Sequence, residues 1–229
     1  MIKAIKEFWS YVCNECKEDK RFVFYFLISP TLILASYSKF KVKENKDKVR
    51  DLIKCRNSLY LLITVLLASI LWILENSVDK NNLKWLAITG SYYAFSRVNE
   101  IFFAFVNDAH SHLRYTQHSS SLKYYERIPL AMKSYLELII LYGVIVLGLQ
   151  ALFCQVVNCS GEPCLLNMWQ AIYYSGVTIT TLGYGDFTPK NFATQIMAIY
   201  EVINGLSLLV VSFTVYVSRS ISDQEHKRF

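Results

Sequence analysis

Five apolar runs, at residues 22–37, 58–74, 83–106, 135–154 and 193–217, constrain this chain more than any other feature. About 20 helical residues cross the hydrocarbon core of a bilayer, and each run comes near that length. The chain is 53% hydrophobic and only 18% charged, so lipid is the solvent its sequence suits. Eight glycines and four prolines are sparse punctuation for a β sandwich or barrel. The expected fold class is an all-α membrane protein. The first run is the weakest, being short and carrying Ser29-Pro30, where proline removes a helix hydrogen bond. It either spans, with a kink, or lies in the interface.

The net charge of +6 is gathered between the runs, so it reads as a topology signal before a nucleic-acid contact, and no nucleic-acid partner is expected. Residues 39–56 carry eight Lys and Arg against Glu44, Asp47 and Asp51, which places that stretch in the cytoplasm. Alternating sides puts 75–82 outside, the linker 107–134 inside, and the turret 155–166, with no Lys or Arg, outside. Residues 1–21 set Ile2, Ile5, Trp9 and Val12 against Lys3 and Lys6, the pattern of a helix lying on a membrane surface. The apolar run at Phe22 follows a mixed-charge leader without a small-residue cleavage site, so it is expected to persist in the mature protein.

Between the fourth and fifth runs, residues 167–180 suit a helix too short to cross, followed at once by a polar, glycine-containing loop. Irregular backbone is tolerated at membrane depth only where protein buries it or where it lines a wet path. The layout is that of a re-entrant loop inside an assembly. Its sequence is Thr180-Thr181-Leu182-Gly183-Tyr184-Gly185-Asp186, then Phe187-Thr188-Pro189. Dehydrating a potassium ion requires rings of oxygens in place of its water shell, and backbone carbonyls from several chains supply stacked rings. Aiming successive carbonyls at one axis needs dihedrals closed to most side chains, which suits Gly183 and Gly185. Thr181 can add a ring of hydroxyls, while Leu182 and Tyr184 point away from the ions.

This segment, with the helix before it, resembles the pore signature of the tetrameric potassium-channel family. The resemblance covers residues 135–217; the first 130 residues resemble no recognised family. The first three apolar runs give three N-terminal transmembrane helices, and the resemblance implies an outer helix, a re-entrant pore helix, a filter at Thr181, Leu182, Gly183, Tyr184 and Gly185, and an inner helix after them. Potassium is then the permeant ligand, held by Thr181 to Tyr184, with no cofactor and no catalysis. A homotetramer in the cell membrane is implied, multi-pass, with its C-terminus cytoplasmic. Asp186 is expected to hydrogen-bond to Tyr174 of the pore helix, where many relatives have a tryptophan. Val177 stands where some relatives carry a glutamate that pairs with this aspartate, so that carboxyl pair cannot form.

The same resemblance sets Gly205 at a hinge position of the inner helix, with close helix packing as the alternative. Leu206, Leu209 and Phe213 fall at positions facing the cavity and gate, where an apolar ring can close by dewetting. Glu201 in the same span is either functional or hydrogen-bonded to the pore helix, since a carboxyl inside a membrane is costly. Arg97 and Glu100, three apart, are expected to pair. No arginines recur at every third position, so steep voltage gating is not expected.

Cys159 and Cys164 fall in the outer turret, where oxidation is possible, and Cys154 ends a span. Cys13 and Cys16 lack further ligands for zinc. Asn158-Cys159-Ser160 fits a glycosylation acceptor. His110, His112 and His118 lie in the linker, where a solvated face is the plainer reading than pH sensing. The expected divisions are 1–21, the three-helix region 22–106, the linker 107–134, the pore domain 135–217 and the tail 218–229. Two other functions compete: a potassium-transporter subunit, which would need four loops in one chain, and a non-conducting regulatory subunit, against which an intact filter argues.

Overall fold

The computed structural model describes residues 29–42, 45–75, 80–113 and 124–212, with Ser10, Val12 and Leu122 besides. The amphipathic segment 1–21 apart from those two residues, the start of the first apolar run, Cys13, Cys16, His118, Phe213 and the tail 218–229 lie outside the described residues.

Among the described residues, four long elements come before the turret: α1 (Pro30–Lys41), α2 (Lys46–Glu75), α3 (Lys80–Leu113) and α4 (Tyr124–Phe153). Proline does not kink the first of them. Pro30 begins it, at a position where the missing N–H would have had no partner. The helices also overrun the apolar runs. Residues 39–56, expected as a connecting stretch, are helix up to Lys41 and again from Lys46, and the 107–134 linker is helix up to Leu113 and again from Tyr124. Hydropathy marks only the part of a helix that meets lipid, and backbone hydrogen bonding continues into the headgroup zone.

Among the described residues, α2, α4 from Tyr125 and the inner helix are long and apolar enough to cross a membrane. The chain is a membrane protein of helical class. Helix α3 has the length, at 34 residues, but lacks the apolar continuity. Ser96, Arg97, Asn99 and Glu100 all lie on it and all are buried. Their polarity is spent on neighbouring helices, which is where polar side chains go when lipid is the alternative.

Helices α3 and α4 form the densest contact. Close approach, and not water exclusion, holds helices together in lipid, so small residues are placed at the seam. At Gly148 of α4 a Cβ would lie only 2.3 Å from the Ser91 side chain of α3. The core continues through Ala87, Ala94, Leu138, Leu141 and Val144, all nearly or fully buried.

After α4 the chain forms three short strands, β1 (Val157–Cys159), β2 (Glu162–Cys164) and, beyond the loop, β3 (Phe187–Pro189), in the order β2-β1-β3 with both pairs antiparallel. The pore helix α5 (Met168–Ile179) stands between β2 and β3, and α6 (Phe192–Leu206), the inner helix, follows β3. A π-helical segment, Ser207–Ser212, continues α6.

Candidate functional site

Twelve residues at 1.5 Å each make α5 about 18 Å long, too short to cross. Its start is held twice. Asn167 accepts from the Gln170 N–H while the Gln170 side chain accepts from the Asn167 N–H, a capping box. The Met168 N–H donates to Glu75 Oε2 at 2.9 Å, so a carboxylate at the end of α2 meets the positive end of the α5 dipole.

The other end of α5 sets the loop. The Leu182 N–H donates to the Val177 carbonyl at 3.1 Å and the Thr181 N–H to the Thr178 carbonyl at 3.0 Å. That pair of bonds is a Schellman closure, and it requires a left-handed residue just past the helix. Thr181 takes that conformation, with φ of 59°, at a cost of roughly 1–2 kcal/mol for a residue with a Cβ. Gly183 and Gly185 come next with φ of 58° and 82°, while Leu182 and Tyr184 between them are not left-handed. Alternating handedness turns every second peptide over, so carbonyls that would alternate in a strand face the same side. The sequence points to the two glycines; it does not show that Thr181 shares their conformation.

Residues 181–185 are all exposed in the single chain, and a Cβ built on Gly183 or Gly185 meets nothing within 4 Å. Their left-handed backbone, not crowding, is what demands glycine there.

The tyrosine expected at Asp186 is corrected by one residue. Tyr173 is the tyrosine electrostatically coupled to Asp186, while the Tyr174 hydroxyl is buried without a hydrogen-bond partner. Tyr174 is buried and turns toward Thr178 and Glu201. Adjacent residues on a helix point about 100° apart, so only one of the two tyrosines can reach the loop. Asp186 is held from the turret as well: the Ser160 N–H donates to its carbonyl at 2.9 Å. Strand β3 pairs with β1, and β1 with β2, which ties the loop's exit to the turret. Cys159 and Cys164 form a disulfide within that hairpin, and Cys154 is a free thiol.

Glu201 is fully buried and accepts a hydrogen bond from Ser175 of α5, the second of the two roles expected for it. Gly205 fits the close-packing role: a Cβ there would come within 2.6 Å of Ile179 Cγ1 and 3.2 Å of the Ile179 carbonyl, at the C-terminal end of α5. The change to π-helix begins two residues later. Each π turn takes up an extra residue, which shifts the phase of the side chains beyond it. Leu206 is exposed, as a cavity position would be, whereas Leu209 packs partly against its own subunit's core.

A second polar centre joins α2, α3 and α4. Arg97 donates from Nε to Glu137 Oε1 at 2.7 Å and from Nη2 to Glu137 Oε2 at 3.1 Å. Its Nη1 lies 2.9 Å from Glu100, the expected pair. Arg56 Nη2 joins Glu100 at 3.2 Å, and Asn57 Oδ1 accepts from Arg97 and from Ser134. The Arg97 guanidinium also lies 4.3 Å from the Tyr60 ring centre. Glu137 is absent from the residues expected to matter, although the reasoning that singles out Glu201, a carboxyl within an apolar span, applies to it equally.

The inner helix also touches α3. Tyr200 donates to Asn99 Oδ1 at 2.7 Å, with Phe95, Phe102 and Tyr142 around its ring.

Residues 136–221 match a family model described as an ion channel. A hyperpolarization-activated voltage-gated potassium channel of Methanocaldococcus jannaschii is 37% identical over 57 residues, 25% of this chain and 27% of that protein. A potassium channel protein of Bacillus subtilis is 30% identical over 87 residues, 38% of this chain and 26% of the relative. Two pore potassium channel a of Oryza sativa subsp. japonica is 26% identical over 87 residues, 38% of this chain and 25% of the relative. The matched stretch thus spans about a quarter of the length of each of these relatives. No solved structure matches the chain.

Proposed function

We propose that this chain, whose residues 136–221 are a pore module of the ion-channel family, is one subunit of a passive, potassium-selective channel. One observation carries the reading: the left-handed backbone at Thr181, Gly183 and Gly185, alternating with Leu182 and Tyr184 at the C-terminal end of a helix too short to span. An ion that leaves water needs a ring of oxygens around it, and one chain supplies one wall of such a ring. Four copies close it. The exposed Leu182 and Tyr184 then pack behind the filter, and the negative ends of four α5 dipoles converge below it to favour a cation.

By this reading the loop's outer mouth and the disulfide hairpin face outside, and the C-terminus faces the cytoplasm. The chain catalyses no reaction. Arg97, the arginine of its span, is fixed by Glu100 and Glu137 and is not free to cross the field, so steep voltage dependence is absent.

Purified protein in liposomes or planar bilayers under opposed potassium and sodium gradients tests all of this. The expected result is a reversal potential near that of potassium, with a conductance changing weakly with voltage. A reversal midway between the two ions would overturn selectivity. Activation carrying several gating charges would overturn the statement on voltage.

A further inference from the structure

A cavity of about 110 Å³ lies between α1, α2, α3 and α4. Four cations line it, Lys39, Arg56, Arg97 and Arg127, against two carboxylates, Glu100 and Asp108. Both carboxylates are already engaged. Glu100 lies between Arg97 and Arg56, and Asp108 is bound to Arg127. Arg97 is further neutralised by Glu137. Four cations thus face three carboxylates, which leaves one positive charge in excess, and donor capacity remains on two groups. Arg56 Nη1 is buried with no hydrogen-bond partner. No carboxylate among the described residues forms an ion pair with the Lys39 ammonium, and burial, reinforced by the charge of Arg56, pulls it below its usual pKa.

A buried donor without a partner and an ammonium lining the same cavity as a guanidinium are both unfavourable in the empty site, and a bound anion would relieve both. We propose that this cavity binds a phosphate group, with Arg56 and Lys39 as its ligands. A guanidinium edge and an ammonium suit the oxygens of a phosphate. The group can arrive on a lipid headgroup or as free phosphate. The surroundings suit a headgroup: Ile101, Phe105 and Leu130 form an apolar wall beside the cations, and the basic start of α2 is close in sequence to Arg56.

The reading does not depend on conduction, and its test does not measure current. The full chain is placed in nanodiscs of phosphatidylcholine alone, of phosphatidylcholine with phosphatidylglycerol, or of phosphatidylcholine alone with inorganic phosphate added to the buffer. Native mass spectrometry counts retained lipid, and calorimetric titration measures phosphate. Removing one charge-assisted hydrogen bond should weaken binding about tenfold, so Lys39→Gln and Arg56→Gln should each do so. Lys39→Gln abandons no buried carboxylate, which keeps the test independent of folding defects. Lys48→Gln, exposed on the same basic helix start, removes equal charge and should change binding little. Retention of phosphatidylglycerol that falls in the two cavity variants assigns the group to lipid. Phosphate binding with the same dependence assigns it to the free anion. Binding that is absent in every nanodisc, or that falls equally in Lys48→Gln, overturns the proposal and leaves a cavity holding water.

Discussion

The two polar centres of this subunit, the filter end and the charged cluster, are built by opposite means. At the filter end the backbone does the holding: the Schellman bonds from Thr181 and Leu182, three left-handed residues, and strand pairing of β3 with β1. At the charged cluster side chains do it, through Arg97, Glu137, Glu100 and Arg56, contributed by three helices. A backbone device depends on conformation and is strained by a Cβ added at a left-handed residue. A side-chain device depends on partners and fails when one charge is left alone. The two ends should therefore respond to different substitutions, and in different observables.

The largest effect should come from Gly183→Ala. A methyl group at φ of 58° is strained whatever the space around it, and assembly repeats the strain in each copy. Reversal potentials under potassium and sodium gradients should show selectivity collapsing. Leu62→Ala, on an exposed face of α2, should leave it intact. Full selectivity in an assembled Gly183→Ala channel would break the comparison at its filter end.

Next comes Glu137→Leu, which leaves the Arg97 guanidinium half-paired in a buried site. Breaking one side of a buried pair costs roughly 3–5 kcal/mol, so thermal unfolding in detergent should move sharply downward. Ion selectivity of the protein that remains folded should not change. A selectivity change without loss of stability would mean that the two ends are not separable.

Smaller, and sharper, is the tyrosine pair. Tyr173→Phe removes the hydroxyl that couples to Asp186 and should loosen the filter exit, seen as current that declines faster under sustained potassium flux. Tyr174→Phe should leave that decline unaltered. The smallest effect expected is from Asn167→Ala, which removes the capping box of α5 at a cost of about 1 kcal/mol, measured as a modest fall in unfolding temperature.

Legibility in the sequence divides along the same line. The left-handed glycines of the loop are legible because its parts are contiguous: a short helix, a threonine, two glycines spaced by two, and an aspartate, all within seven residues of one another once the helix ends. Its support is legible only to within one residue, since neighbouring Tyr173 and Tyr174 are chemically alike and only helix phase decides which reaches Asp186. The three-residue strands carry no periodicity to read. At the charged end, Arg97 and Glu100 share a helix and can be paired by spacing, but Glu137 lies 40 residues away, and nothing local announces such a partner. Helix ends escape for a related reason, as hydropathy stops at the headgroups where the helices do not.

Helix α2 belongs to both ends at once. It carries Arg56 and Asn57 near its start and Glu75 at its finish, where the carboxylate holds the Met168 N–H. Thirty residues at 1.5 Å make it a rod of about 45 Å. In mechanical terms it is a lever: a tilt of only about 4° pivoting at Arg56, about 28 Å from Glu75, swings that end by about 2 Å, enough to part a 2.9 Å hydrogen bond. A displacement at one membrane face would thus reach the base of the pore helix along the outside of the pore, by a path that never passes through the inner helix.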